Sequence, residues 1–126
     1  MKSIGEIEAA ICEGISRFEL EHMGRGPSDI RTFLLGDLVL VRLQGVLTAA
    51  EQHLVASLPA DKGRDLLKQV RTHLIETARP IMEAMVESIV EVSVVSLHHD
   101  ISTRTAEEML IFTLSTAPEC RARNKR

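Results

Sequence analysis

Ile4, Ile7, Ile11, Ile15 and Phe18 recur at three- and four-residue spacing, with Glu6, Glu13, Arg17, Glu19 and Glu21 mostly off that stripe. This pattern predicts an amphipathic helix with one buried face. Ser3-Ile4-Gly5-Glu6 has the form of a capping box at its start, and Gly24 is placed to end it. The pattern then changes period. Ile30 to Leu35 and Leu38 to Leu43 are rich in β-branched and long apolar residues, and the two-residue spacer Gly36-Asp37 predicts a tight primed-turn hairpin. Thr48-Ala49-Ala50-Glu51 is a second capping box, opening a short helix that Pro59 stops. Asp61 is placed to cap a long helix with apolar positions Leu66, Leu67, Val70, Leu74, Ala78, Ile81, Met82, Met85, Val86 and Ile89, in which Pro80 predicts a kink or break. Val92 to Leu97 and Met109 to Leu114 read as a second strand pair, joined by a polar loop from Asp100 to Glu108. The order α-β-β-α-α-β-β predicts an α+β domain over 1–116, an antiparallel four-stranded sheet from two hairpins with helices packed on one face.

A two-residue turn fixes which residues face each other. Leu35 falls opposite Leu38, Phe33 opposite Leu40 and Arg31 opposite Arg42, with alternate pairs on opposite faces. One face carries Ile30, Thr32, Leu34, Val39, Val41 and Leu43; the other carries Phe33, Leu35, Leu38 and Leu40, with the two arginines at its far end. Both faces are apolar, and a small two-layer domain covers only one. The second face therefore predicts a homo-oligomer, a dimer being favoured, with Phe33, Leu35, Leu38 and Leu40 at the interface. Arg31 and Arg42 directly opposite each other repel, so they call for a carboxylate or a bound anion nearby. Arg25, Arg31 and Arg42, with Asp100 and Arg104 from the neighbouring loop, form the candidate anion or ligand site; neutralisation by Asp29, Asp37 or a helix glutamate is the plainer reading.

A chain of 126 residues with 44% hydrophobic and 26% charged residues fits one folded domain. No apolar run approaches the ~20 residues that cross a bilayer, and glutamates stand where a signal peptide would be basic, so a cytoplasmic protein without a transmembrane segment is expected. The net charge of −3 and the absence of Trp and Tyr argue against nucleic-acid binding, which needs phosphate-neutralising cations or stacking platforms. Residues 117–126, APECRARNKR, are expected to form a basic, disordered tail. Cys12 and Cys120 have neither disulfide nor metal spacing and are expected to be reduced thiols.

Candidate chemistry is sparse. His98-His99-Asp100 looks like a metal or acid-base cluster, but successive strand residues point to opposite faces, so only His98 and Asp100 share a side; His53 and His73 from the helices are the residues that could complete a site, and a His-x-x-x-His spacing is absent. His98 reads instead as hydrogen-bonded at a strand end. Gly24-Arg25-Gly26-Pro27 lacks the Lys-Ser/Thr ending of a phosphate loop and precedes a strand, so it reads as a turn. No Ser or Cys sits in a Gly-x-Ser-x-Gly context. No enzyme activity, cofactor or metal is expected.

The run Met23-Gly24-Arg25-Gly26-Pro27, then Gly36-Asp37, then Leu43-Gln44-Gly45-Val46-Leu47-Thr48 with Glu51, resembles the MpsC family of small bacterial proteins. Gly63, Arg71 and Pro80, the segment Ser96 to Ser102 and Ile111-Phe112-Thr113-Leu114 extend the resemblance to about Leu114. Where that family suggests a turn glycine before the third strand, this chain has Glu91. The family is named for a sodium-translocating, membrane-potential-generating system. The resemblance implies a non-catalytic accessory or regulatory protein, with integral-membrane transport subunits as partners, and gives no catalytic residues to carry over. The alternative is a small-ligand or anion-binding domain using the arginines.

Overall fold

The computed structural model describes residues 1–122 of the chain. Helix α1 (Ile4–Met23) leads into strands β1 (Asp29–Leu35) and β2 (Leu38–Gln44); helices α2 (Ala49–Ser57) and α3 (Ala60–Val90) follow, then strands β3 (Val94–Ser102) and β4 (Glu107–Leu114). The strands form one antiparallel sheet in the order β1-β2-β4-β3, so the two hairpins join through β2 and β4. This is the α+β architecture that the sequence predicts. Both capping boxes form: Ser3 Oγ accepts from the Glu6 N–H and the Glu6 carboxylate from the Ser3 N–H, and Thr48 and Glu51 repeat the exchange. The first hairpin has the predicted register from Leu35↔Leu38 to Ile30↔Leu43, with Gly36 at φ 62° in the turn.

The core lies between the helices and one sheet face. Ile7, Ile11, Ile15 and Phe18 of α1, Leu67, Ile75, Met82 and Val86 of α3, and Val39, Val41, Leu43, Leu110 and Phe112 of the sheet form one cluster. Beside it, β1 leaves an open sheet edge, and Glu8 of α1 reaches across to accept from the Leu34 N–H at 2.9 Å. A carboxylate on an otherwise unpaired edge donor discourages pairing with another strand.

Several expectations are corrected. Glu19, assigned to the polar face of α1, is fully buried. The buried row of α3 is Gly63, Leu67, Arg71, Ile75, Ala78, Met82, Val86 and Val90; Leu66, Val70, Leu74 and Ile81, predicted to be core, are exposed. Adjacent apolar rows compete for one face, and the row containing Arg71 wins because its guanidinium finds partners inside. The N-cap of α3 is Pro59, with no side-chain cap bond from Asp61 or any other residue. The helix runs unbroken through Pro80, which is exposed. On the solvent side carbonyls already tilt outward and hydrogen bonds lengthen, so a missing donor is tolerated there.

Strand β3 begins two residues later than predicted and extends to Ser102, so the loop expected from Asp100 shrinks to a turn in which the Ala106 N–H bonds the Ser102 carbonyl at 2.9 Å. Cross-strand pairing with β4 outweighs the polarity of His98, His99 and Asp100. In the segment expected to be disordered from Ala117, Pro118 is buried and Arg121 forms a parallel bridge with Ser3. Its side chain also bonds the Met1 carbonyl and Glu6. The rest of that segment, 123–126, lies outside the described residues.

Glu91 ends α3 in the left-handed conformation, φ 62° and ψ 25°, with its N–H on the Glu87 carbonyl. That is a glycine position occupied by a residue with a Cβ. Glu91→Gly should raise stability by about 0.5–1 kcal/mol, whereas Glu91→Ala should not; urea unfolding followed by circular dichroism checks both.

Candidate functional site

Arg71 sits on the core-facing row of α3, 2% exposed, and three elements bring carboxylates to it. Glu108 of β4 takes it side-on, with Nε to Oε2 at 3.3 Å and Nη2 to Oε1 at 3.0 Å. Nη2 also donates to Glu19 Oε1 of α1 at 3.0 Å, and Nη1 to Glu51 Oε2 of α2 at 3.4 Å. Glu51 thereby serves twice, since its other oxygen caps α2 through the Thr48 N–H. The planar, fixed fork of an arginine suits a site with partners on several sides; a lysine's point charge does not.

Three carboxylates around one cation cannot all be charged cheaply. Burial, and then the charge of Glu108, push Glu19 up to about 8, against the pull of Arg71. Glu19 is therefore mostly protonated at neutral pH, and its Oε2 is buried without a hydrogen-bond partner. Burial works against the charge of Arg71, but the hydrogen bonds and charge of Glu108, with Glu19 and Glu51, outweigh it and hold the guanidinium above its usual pKa. Glu19 and Glu108 escape the sequence reading, although Glu19 continues the four-residue spacing of Ile7, Ile11 and Ile15. That spacing was the available signal.

The sequence-predicted site residues are dispersed. Cross-strand register places Arg31, Arg42, Met109 and Asp100 in one row across the sheet. Arg31 lies 3.8 Å from Asp29, and Arg42 Nε donates to Glu107 at 2.6 Å. Carboxylates thus flank both arginines. Arg25 is elsewhere, donating to the Gly45 carbonyl at 2.9 Å. Asp100 pairs with Lys68 of α3 at 2.9 Å, which holds its carboxyl below the usual range. His98 is exposed within β3 rather than bonded at its end. It is His99 that bonds, to Glu76 Oε2 at 2.8 Å, and this contact lowers the pKa of Glu76. No group of three or more His, Cys, Asp or Glu able to hold a metal occurs among the described residues.

Arg104, in the β3–β4 turn, lines a cleft of about 530 Å³ with Arg64 and Lys68 of α3, Asp100, Glu107 and Met109. On the outer sheet face, the next two rows are Phe33, Leu40, Ile111 and His98, then Leu35, Leu38, Thr113 and Ser96. Phe33 and Leu35 are 39% and 58% exposed, the state expected of an apolar face that no helix covers.

Fold and site define a small two-layer α+β protein with an arginine–carboxylate node in its core and an apolar outer sheet face. The chain belongs to the MpsC family: the model of that family, described as "Na+-translocating membrane potential-generating system (MpsC)", matches residues 3–116. It is similar to the uncharacterized protein YbcI of Bacillus subtilis (strain 168), with 34% identity over 113 residues that cover 90% of this chain and 89% of that one. No solved structure matches it. Among the described residues no helix is long and apolar enough to cross a membrane.

The node makes stability depend on pH. Because Glu19 is raised in the fold from an ordinary value of 4.5 to about 8, the folded state holds a proton that the unfolded chain gives up. Its contribution is full below about pH 4.5 and is lost as pH rises through about 8. In Glu19→Gln this fall between pH 5 and 9 should flatten, as read by urea midpoints across that range. Arg71→Met, which strands Glu108 in the core, should cost about 3–5 kcal/mol at pH 7 in the same assay.

Proposed function

We propose that this chain is a non-catalytic, cytoplasmic accessory or regulatory protein of a membrane sodium-ion transport system, acting as a homo-oligomer through its outer sheet face. The observation that carries the first part is the family match over residues 3–116, whose description names such a system. Support for self-association comes from the sheet. Its inner face is sealed by α1 and α3, while Phe33, Leu35, Leu38, Leu40 and Ile111 form an apolar patch on the other side. Patches of this kind on small domains mark interaction surfaces. A two-fold pairing would set each patch on its own copy and give the second apolar face the cover that a single chain does not supply. An anion site built on Arg25, Arg31 and Arg42 has less support: Arg25 is bound to the Gly45 carbonyl and Arg42 to Glu107 at 2.6 Å, which leaves Arg31 with its loose 3.8 Å contact to Asp29.

Co-purification of the tagged protein from its native host, with membranes solubilised in mild detergent, tests the transport reading. Stoichiometric recovery of integral-membrane subunits is the expected result; recovery of this chain alone would overturn it. Self-association has its own test. The wild type should sediment as a dimer at tens of micromolar, and Leu35→Lys combined with Phe33→Lys should sediment as a monomer with its melting temperature nearly unchanged, both positions being exposed.

A further inference from the structure

The cleft beside the β3–β4 turn has no role in the assembly proposed above. It lies where the first turns of α3 meet the end of β3, and its lining brings Arg64 and Lys68 from the helix and Arg104 from the turn around Ser102, Thr103, Ile101 and Met109. Charge is concentrated here against the trend of the molecule: three cations line one cleft in a chain of net charge −3. The two carboxylates of the lining do not cancel them. Glu107 is bound at 2.6 Å by Arg42, which is not part of the lining, so its charge is already taken. Asp100 holds Lys68 at 2.9 Å, but their side chains are 72% and 38% exposed, and pairs this open contribute only about 0–1 kcal/mol. An incoming anion can replace Asp100 on Lys68 at little cost. Arg64 contacts its own neighbour Asp65 at 3.2 Å, in the same exposed setting. Among the described residues Arg104 has no ion pair.

The helix end adds to this. Pro59 precedes α3 without a side-chain cap, and Ala60, the first residue of α3, lines the cleft. The first N–H groups of a helix lack intrahelical acceptors and favour negative charge.

We propose that this cleft binds a small, multiply charged phosphate anion, held by Arg64, Lys68 and Arg104, with Asp100 acting as a displaceable internal counter-charge. Its volume of about 530 Å³ lies within the range of small-molecule sites. No aromatic residue lines it, so there is no platform for a base, and recognition rests on the phosphate groups. Arginine forks and a lysine ammonium are the usual phosphate partners. A phosphomonoester on a lipid headgroup would offer the same chemistry, and the experiment separates the two sources. The proposal is independent of the transport reading: it needs neither a membrane subunit nor a dimer.

Calorimetric titration with inorganic pyrophosphate, at ionic strength held constant with sodium chloride, tests the site directly. Flotation with vesicles of phosphatidylcholine, with and without phosphatidic acid, tests the lipid source. Saturable pyrophosphate binding beyond the chloride control is expected. Arg64→Ala with Arg104→Ala should weaken it at least about tenfold. Asp100→Asn should tighten it by about three- to tenfold, because Lys68 is released. All three residues are exposed, and unchanged melting curves verify folding. Binding to phosphatidic acid vesicles alone, lost in the double variant and strengthened by Asp100→Asn, would keep the site and assign it to the headgroup. No binding to either probe, binding undiminished in the double variant, or no gain from Asp100→Asn would overturn the proposal.

Discussion

A guanidinium in the core must find acceptors or the fold does not form, and Arg71 finds them on three other elements. Its partners come from α1, α2 and β4, so one side chain of α3 fixes the relative placement of four elements. Such a node is not the most stabilising way to fill the space. Apolar residues of similar volume commonly do as well or better, because desolvating charges consumes most of what their attraction returns. What the node adds is discrimination: a rotation of α1 or α3 that left the apolar stripes in contact would strand Glu19, Glu108 or Arg71 without partners. The effect is plainest for α2, which has no fully buried residue. It is held by Glu51 on Arg71, and by a close approach to α3 where a Cβ on Gly63 would come within 3.0 Å of the Val55 carbonyl oxygen.

The parts of the fold legible in the sequence were those fixed by local stereochemistry. A two-residue turn leaves one register, so the first hairpin could be read pair by pair; a hydroxyl and a glutamate three residues apart satisfy each other's backbone wherever the helix goes. Where the outcome depended on the other side of the core, the sequence was ambiguous. Helix α3 offers two neighbouring apolar rows, Leu66-Val70-Leu74 and Leu67-Ile75-Met82, and the second is interrupted by Arg71. Scored on hydrophobicity, the first looks better. Only the carboxylates of Glu51, Glu108 and Glu19, which lie 20, 37 and 52 positions away in sequence, make Arg71 an inward residue. Glu19 was misplaced for the same reason, and the cleft escaped because its cations come from a helix and a turn that only the packed sheet brings together.

The two faces of the sheet use alternation differently. Inward residues of β2 and β4 are almost all aliphatic or aromatic, interrupted by Glu108; outward ones mix Leu38, Leu40 and Ile111 with Arg42 and Thr113. An outward face meant only for water would have no reason to align Phe33, Leu40 and Ile111 in one row. The charged row of Arg31, Arg42 and Asp100 runs along one end of that patch. Apolar contact with ionic groups at the margin is the ordinary anatomy of an interface, in which the rim sets orientation and the centre supplies affinity.

Strand β4 links the interior to the surface in a way that single contacts do not reveal. Glu107 and Glu108 are consecutive, so the pleat sends them to opposite sides: Glu108 inward to Arg71, Glu107 to Arg42 and the rim of the cleft. On α3, Lys68 and Arg71 are three residues apart and therefore neighbours along the helix surface. The cationic cleft and the buried node thus share two supporting elements, α3 and β4. Within the node it is burial first, and then the charge of Glu108, that raises Glu19 to about 8.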